Sequence, residues 1–406
     1  MTDTETHRET HTHTLTRTNQ NTDTQYSTPH RQITKTQLRI LFININGIYT
    51  TSNKPQDVFI TAKGLQADIL GLAETNTDWK KHHTRNRYQS ILRNLTSHYK
   101  EFENWKTSKS TFSTSQINSK SDTQRGGVVQ TTLGKWVGRI KETGQDERLG
   151  RWSWQSYKGD TTLTIITAYR VCQDKGDSGA LTAHAQQHAL LLNQTSDPDP
   201  RKQFLTDIEE FISQRRTQGE AIILMLDANE EARSPNSQLR RTMDNISMTN
   251  LHHMLHGEGC PNTYQGGREQ IDHIYGCPTV AAHTTRAGVL PFHYGIDTDH
   301  RGLYVDIDVY NIFKSNTAEI RNPPPRKLSS KNTIHADKVR EQVRRQCKSH
   351  NIQHGLQELT KVPLNRWTER HQEKLNSIDE HFTKIVLKTE TKVCHKPYGY
   401  PKSEKL

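Results

Sequence analysis

The chain has 406 residues, 31% of them hydrophobic, and a formal net charge of +11 that lies almost entirely in residues 321–406. It is long enough for one large domain or several smaller ones, but part of it has too few apolar side chains to bury a core. Because no apolar run approaches the roughly 18 residues of a membrane span and no signal-peptide core is present, we expect neither a membrane protein nor a secreted one.

The N-terminal segment, residues 1–37, alternates Thr with His, Asp, Glu and Arg and contains almost no large apolar side chains. A segment that buries nothing cannot offset the entropy lost on ordering, so we predict a disordered tail. Order is expected to begin at Leu38, where the run LRILFININ is apolar on both faces, as in a strand covered on both sides.

Buried strands and amphipathic helices alternate over residues 38–312. The hydrophobic pattern predicts strands at 38–46, 67–72, 126–129, 161–169, 221–226, 271–275 and 303–309. It predicts helices at 54–66, 88–102, 180–192 and 201–216. The polar stretch 80–124 predicts a mobile loop after its one helix.

A separate basic segment forms the last fifth of the chain. Three prolines at 323–325 interrupt regular structure, so we assign 313–332 to a linker. Apolar residues spaced three and four apart predict two helices on either side of Pro363, a helical hairpin within 333–395, and residues 396–406 are expected to be unfolded. Residues 321–406 hold 19 basic and 9 acidic side chains, which indicates a polyanionic partner.

Acidic and amide side chains end several of the predicted apolar strands. Buried carboxylates are costly unless they meet a cation or a donor, so a repeated pattern of this kind predicts one shared cleft. Oxygen donors suit Mg²⁺ or Mn²⁺, and no Cys/His set has zinc spacing. Taken singly, each residue also has a structural explanation as a turn, a helix cap or a core residue. The candidate residues are Asn44, Asn46, Glu74, Tyr169, Asp227, Asn229, Asp272, Asp299 and His300.

In this order the set resembles the endonuclease/exonuclease/phosphatase superfamily, whose fold is DNase I-like and which includes apurinic/apyrimidinic endonucleases. The matching motifs run from Asn44-Ile45-Asn46-Gly47 through Glu74-Thr75, Tyr169, Asp227-Ala228-Asn229 and Ile271-Asp272 to Asp299-His300. The resemblance implies a four-layer α/β sandwich, two packed mixed β-sheets flanked by helices, with the C-terminal helical segment added to it. It places this domain at residues 38–312.

The resemblance also implies a role for each residue in a metal-dependent phosphodiester hydrolase. Glu74, Asn46 and Asp299 would bind the metal; Asp227 would deprotonate the attacking water, with Asn229 fixing that water and donating to the phosphate. His300 would contact a phosphate oxygen while Asp272 holds its imidazole. Tyr169 would donate to the phosphate or to the leaving oxygen, and Asn44 would brace Glu74 and Asp227.

Local sequence favours one branch of this superfamily. The stretches 149–152, 168–172 and 299–303 resemble the endonuclease region of non-LTR retroelement proteins or genes derived from them. In the tail, Ile378-Asp379 and 390–394 resemble the helical segment that precedes a reverse transcriptase in such polyproteins. This resemblance implies a DNA endonuclease that leaves a 3′-hydroxyl to prime reverse transcription, with DNA as partner and RNA as a further candidate for the basic segment. Two alternatives stay open: a phosphatase or phosphodiesterase acting on lipid or nucleotide, and an inactive retroelement-derived protein that binds nucleic acid.

The five cysteines form no CxxC pair, and their odd number favours a reducing compartment over a disulfide scaffold. For a DNA-cutting retroelement protein we expect residence in the nucleus, or otherwise in the cytoplasm.

Overall fold

The computed structural model describes residues 33–34, 36–49, 53–117, 119–173, 182–317, 328, 332–363 and 366–394. It contains two compact units, Met1–Ile320 and Arg321–Leu406. The predicted N-terminal tail lies mostly outside the described residues, the linker is described only in part, and the tail at 396–406 lies wholly outside them.

The first unit contains twelve strands and eight α-helices among its described residues. The strands are β1 (Gln37–Asn44), β2 (Ile69–Ala73), β3 (Ser108–Phe112), β4 (Val129–Leu133), β5 (Ile140–Gln145), β6 (Trp152–Tyr157), β7 (Leu163–Tyr169), β8 (Ala221–Asp227), β9 (Thr249–Asn250), β10 (Asp272–Gly276), β11 (Thr284–Val289) and β12 (Leu303–Asp308). The helices are α1 (Lys54–Gly64), α2 (His82–His98), α3 (Ala183–Leu191), α4 (Pro200–Thr217), α5 (Gln238–Asn245), α6 (Leu251–His256), α7 (Pro278–His283) and α8 (Tyr310–Phe313). Short 3-10 helices occur at Lys100–Trp105, Gly134–Arg139 and Gly257–Gly259.

The strands form two six-stranded sheets, in the orders β11-β12-β1-β2-β4-β3 and β5-β6-β7-β8-β10-β9. Each sheet is mixed: β1 and β2 are parallel in the first, β7 and β8 are parallel in the second, and the other neighbours are antiparallel. The predicted fold class, a sandwich of two packed mixed sheets flanked by helices, is therefore confirmed.

Side chains of β1 alternate between two buried environments, which is why its sequence is apolar on both faces. Ile40 and Phe42 belong to the core shared with the second sheet, whereas Leu41 and Ile43 pack with residues of α1 and α2. The sheets approach closely at Gly71 in β2, where an added Cβ would lie 2.7 Å from Cε of Met225 in β8. Four layers result: helices, sheet, sheet, helices.

Several elements depart from the predicted pattern. The stretch 80–124 is not a loop after one helix: α2 begins six residues earlier than predicted, and β3 forms the edge of the first sheet. The strands β5, β6, β9 and β11 and the helices α5 to α8 were not predicted at all. The first unit also continues past the expected boundary at 312, because Phe313 is buried and Arg139 binds Ser315 and Thr317.

The second unit contains three described helices: α9 (Thr333–Ser349), α10 (Ile352–Thr360) and α11 (Glu369–Val393). The prediction of a two-helix hairpin is therefore wrong, because α10 lies between the two expected helices; α11 packs against both α9 and α10. Among the described helices of the chain, none is both long enough and apolar enough to cross a bilayer.

Candidate active site

The two parallel strand pairs bring the predicted residues to one edge of the sandwich. Asn44 ends β1 and Glu74 directly follows β2, while Tyr169 and Asp227 end β7 and β8. The carboxyl ends of parallel neighbours share an edge, and this is where open α/β sheets bind their ligands. Asp272 begins the antiparallel β10 directly opposite Asp227, and so joins the same edge.

Asn44 connects the carboxylates of the two sheets. Its buried side-chain amide donates from Nδ2 to Glu74 Oε2 over 2.9 Å and to Asp227 Oδ2 over 2.6 Å. Its Oδ1 accepts from the backbone N–H of Asn46 over 2.8 Å. Both amide protons and the carbonyl are thus used, which fixes the orientation of the side chain and with it two acids from different sheets.

His300 and Asp272 form a buried ion pair beside Asp227. His300 Nδ1 donates to Asp272 Oδ2 over 2.8 Å, and the two side chains are 7% and 1% exposed. Burial alone would disfavour the charged imidazole, but the charge and hydrogen bond of Asp272 outweigh it and raise the pKa of His300 to about 10. The imidazole is therefore held as a cation at neutral pH.

Asp227 lies among other acids in a dry environment. Burial raises its pKa well above the usual value for aspartate, and the charges of Asp272 and Glu74 raise it further against the opposing effect of His300. Its Oδ1 accepts the backbone N–H of Asn229 over 3.0 Å. One oxygen of Asp272, Oδ1, is buried and has no hydrogen-bond partner among the described residues, so this cluster has unused acceptor capacity.

The backbone is strained at three of the predicted site residues. Asn46, Glu74 and Asn229 have φ values of 42°, 50° and 47°, in the left-handed region that L-residues rarely adopt. Glu74 is held there by the N–H of Gly47, which donates to its carbonyl over 2.8 Å. Such strain persists where the surrounding structure over-determines it, which is typical of functional sites.

Asn46 and Asp299 lie on the more open side of the same edge. Asn46 Nδ2 donates to Asp299 Oδ1 over 3.2 Å, and Asn46 is exposed whereas Asp299 is half-buried. Together with Glu74 they offer carboxylate and amide oxygens, the ligand types that Mg²⁺ and Mn²⁺ prefer.

Within the described residues, Asp227, Asp272 and His300 are the one set of three whose ligand atoms lie within 4.8 Å of one another. A cationic imidazole has no lone pair for a metal, and His300 Nδ1 already donates to Asp272. This set is therefore better suited to proton transfer and anion contact than to holding an ion, and the oxygen donors around Glu74 are the better metal candidates.

Asn229 is placed at the site, but its side chain is already engaged. Its Nδ2 donates to the carbonyl of Arg170 over 2.8 Å, and its Oδ1 accepts from Cys172 Sγ over 2.9 Å. Tyr169 is buried beside the acids, and burial together with the charges of Glu74 and Asp227 raises the pKa of its hydroxyl well above the usual value. All nine predicted residues thus lie along this edge.

Sequence reasoning missed several residues that hold the site in place. Arg170 and Arg201 both bind Glu230, and Arg201 also donates to the carbonyl of Asn229 over 3.0 Å. Thr298 donates to the carbonyl of Asn44 over 2.8 Å and accepts from the N–H of His300 over 3.3 Å. Arg170 lies inside the motif at 168–172. The contacts that Arg201 and Thr298 make in space cannot be read from one sequence.

No known family model matches this sequence, and no curated protein matches it. Solved structures are similar in fold. An AP endonuclease from Archaeoglobus fulgidus has a TM-score of 0.47 and 16% identity over 67% of this chain and 100% of that chain. The endonuclease domain of TRAS1, a telomere-specific non-LTR retrotransposon, has a TM-score of 0.41 and 13% identity over 67% of this chain and 98% of that chain.

An endonuclease/exonuclease/phosphatase family protein from Leptotrichia buccalis C-1013-b gives a TM-score of 0.41 and 14% identity over 66% of this chain and 99% of that chain. The name of this last protein is that of the superfamily which the sequence motifs resemble. At such identities the similarity concerns the fold and leaves substrate and activity to be argued from the site.

Proposed function

We propose that this chain is a divalent-metal-dependent phosphodiester hydrolase of the endonuclease/exonuclease/phosphatase superfamily, acting as a DNA endonuclease of the non-LTR retroelement type. The observation that carries the proposal is the Asn44 amide, which joins Glu74 of one sheet to Asp227 of the other beside the His300–Asp272 pair. This arrangement supports the proposal, because phosphodiester hydrolysis requires an acid that binds metal, a base and a cation close together, and Glu74, Asp227 and His300 are the proposed residues for these roles.

Asp227 is the proposed general base. Its raised pKa makes it a stronger proton acceptor than an ordinary aspartate, and the N–H of Asn229 fixes its orientation. The attacking water passes one proton to Asp227 as its oxygen bonds to phosphorus. The bond from phosphorus to the 3′ oxygen breaks, and the departing 3′ oxygen takes up a proton from solvent. The products are a 5′-phosphate and a 3′-hydroxyl.

His300 and Tyr169 are proposed to stabilise the charge on the phosphate. The imidazolium of His300, held by Asp272, faces the negative non-bridging oxygens. Tyr169 stays protonated because the pKa of its hydroxyl is raised. It therefore donates a hydrogen bond to the phosphate, whereas a negatively charged phenolate would repel it. Asn229 contributes mainly through its backbone, since its side-chain amide is bonded to Arg170 and Cys172.

A divalent cation fits the oxygen ligands at this edge of the sandwich. Glu74, Asn46 and Asp299 would hold it, because they supply hard oxygen ligands on the accessible side, and the crowding of acids there favours added positive charge. When bound, Mg²⁺ or Mn²⁺ would neutralise charge developing on the phosphate.

DNA is the proposed substrate, and the basic C-terminal segment its second point of contact. Residues 321–406 carry ten more basic than acidic side chains, which suits sequence-independent contacts with phosphates. The phosphates of RNA would bind the same basic side chains, so RNA is tested in parallel.

The test is nicking of supercoiled plasmid by the purified full chain with Mg²⁺ and with EDTA. We expect nicking with Mg²⁺ alone, and nicks that a DNA polymerase extends without prior phosphatase treatment. Asp227→Asn should lower the rate by about 10³-fold or more, since it removes the base. His300→Gln should lower it by about 10²-fold, since it removes the cation.

The matched control is Asp244→Asn, because Asp244 is an exposed acid of α5. It should keep the wild-type rate. Wild-type activity in Asp227→Asn would remove the catalytic assignment. Release of phosphate from a phosphoinositide or nucleotide panel, with plasmid left intact, would instead identify a phosphatase on this fold. An intact plasmid together with Mg²⁺-independent DNA binding would identify an inactive binding protein.

A further inference from the structure

A cavity of about 440 Å³ opens beside the candidate active site. Its wall includes Glu74, Asn76, Arg125, Tyr169, Cys172 and His184. Glu74 and Tyr169 belong to the reaction centre, whereas Asp227, Asp272 and His300 do not line the cavity. It therefore begins at the edge of the centre and extends away from it, so a group covalently joined to a phosphate at the centre can enter it.

Arg125 contributes a cation to this wall. Its side chain is exposed, and within the described residues its guanidinium has no hydrogen-bond or ion-pair partner. Arginine binds phosphate through a planar fork of N–H donors and is charged at any physiological pH. A guanidinium that no described residue neutralises, in the wall of a cavity that adjoins a phosphodiester centre, is a binding group for a second anion.

The backbone fixes the position of Arg125 relative to Glu74. The next residue, Gly126, donates its N–H to Asn76 Oδ1 over 2.8 Å, and its carbonyl accepts the N–H of Asn76 over 2.8 Å. Gly126 also lies against the ring of Tyr169, where an added Cβ would come within 3.4 Å. The residue after Arg125 is thus pinned to the loop that carries Glu74, two residues from that acid.

Resting on the proposed function, we propose that this cavity receives the phosphodiester adjacent to the one being cleaved, with Arg125 as its counter-charge. The substrate is then a nucleotide strand rather than an isolated phosphate ester. The volume suits an occupant of this size, because cavities that bind small molecules measure roughly 300–1,000 Å³. Phosphate contacts of this kind set the register of a strand at an active site.

The experiment compares two substrates that differ in whether a second phosphate exists. Duplex DNA has neighbouring phosphodiesters, whereas bis(4-nitrophenyl) phosphate has a single one. In Mg²⁺, Arg125→Gln should raise KM for duplex DNA about tenfold with kcat within about twofold, since a charged hydrogen bond is lost in binding. Hydrolysis of bis(4-nitrophenyl) phosphate should be unchanged.

Direct binding gives a second readout that does not need turnover. With EDTA present, Arg125→Gln should reduce the slope of log affinity against log salt for DNA by about 0.9, the value for one phosphate contact. Arg125→Lys should restore part of the affinity. Arg93→Gln is the matched control, since Arg93 in α2 is likewise exposed and its guanidinium has no partner among the described residues.

The outcomes separate the two proposals. If the wild-type chain hydrolyses neither substrate, the proposed function fails. If it hydrolyses both and Arg125→Gln leaves DNA binding and KM unchanged, the cavity does not bind a neighbouring phosphate. Equal losses on both substrates would show that Arg125 supports the centre itself, which also overturns this inference.

Discussion

At the scale of single residues, the Asn44 side chain is the most informative contact in the site. Glu74 and Asp227 are two carboxylates from different sheets, and like charges at close range repel. The amide supplies one proton to each of them, at 2.9 Å and 2.6 Å, from a side chain that is fully buried. Asn44 therefore stabilises both the fold and the placement of the proposed base.

Asn44→Asp should impair both functions of this residue. The change removes two N–H donors and places a further acid between two existing ones, so the free energy of unfolding should fall by about 1–3 kcal/mol. Plasmid nicking should fall by at least about 10²-fold, because Glu74 and Asp227 lose the group that orients them. Urea unfolding and single-turnover nicking measure the two effects.

Asn94→Asp is the control for this substitution, since Asn94 is exposed on α2 and its change should alter neither quantity. A nicking rate for Asn44→Asp within twofold of wild type would contradict the bracing role.

The sequence predicts that the side chains of the site residues meet at one edge, as they do in the structure, but it does not predict the orientation of every one of them. Acids and amides at strand ends predict which side chains meet, because strand direction fixes the edge at which they lie. The side chain of Asn229 is different. Its amide is turned to the Arg170 carbonyl and the Cys172 thiol, and nothing in the sequence marks Cys172 as a neighbour.

At the scale of elements, the strand β6 is hard to predict because its polar side chains are buried. In β6, Trp152 and Trp154 pack against α4, while Gln155 and Tyr157 face the other sheet. Tyr157 donates to Gln155 over 2.8 Å, so a polar network replaces apolar contacts between the sheets. In the sequence of β6 only Trp152 and Trp154 alternate with polar residues, and Ser156 ends that alternation, so the pattern is too short to predict a strand.

The edge strand β3 was missed for a different reason. Its sequence, SKSTF, has one large apolar residue, and its first two residues are exposed. Edge strands are short and polar in many proteins because an apolar edge promotes aggregation. The hydrophobic pattern therefore predicts central strands better than edges.

The loop between β5 and β6 depends on the glycine of the motif at 149–152. Gly150 has a φ of 69°, and an added Cβ would lie 2.9 Å from the backbone nitrogen of Ser115 and 3.0 Å from the carbonyl carbon of Thr114. Backbone atoms cannot move aside as a flexible side chain can. Gly150→Ala should lower the free energy of unfolding by about 2–4 kcal/mol, from strained φ plus steric overlap. Urea denaturation measures it.

Gly219→Ala separates the two causes. Gly219 has a φ of 80°, but an added Cβ there would meet nothing within 4 Å. This variant should lower the free energy of unfolding by only about 1 kcal/mol, because only the strain of the left-handed backbone is added. Equal losses in the two variants would show that the loop at 113–116 yields to a methyl group.

At the scale of the whole molecule, the two sheets repeat one arrangement: a parallel pair of strands at the centre, with antiparallel neighbours on both sides. The carboxyl ends of the two pairs supply Asn44 and Glu74 from one sheet, and Tyr169 and Asp227 from the other. The site therefore requires both sheets, which explains why its residues are spread over more than half of the chain.

The second unit has a different role in the proposed function. Residues 321–406 hold 19 basic and 9 acidic side chains, yet none of the nine proposed site residues lies there. Removing residues 321–406 should leave the rate of the chemical step unchanged and weaken the binding of DNA. A chain ending at Ile320 should nick saturating plasmid at the wild-type rate, while its affinity for DNA falls.

Salt dependence identifies the origin of that loss. Each phosphate contact contributes about 0.9 to the slope of log affinity against log salt, so the shortened chain should show a slope lower by about 2 or more. An unchanged slope would mean that the basic segment does not contact DNA. If instead the slope for single-stranded RNA decreases while that for DNA does not, the segment binds RNA. The control is a full-length chain in which Arg340, Arg344 and Arg345, all in α9, are changed to Gln. A partial decrease in its slope would show that α9 contacts DNA, because this variant has not been shortened.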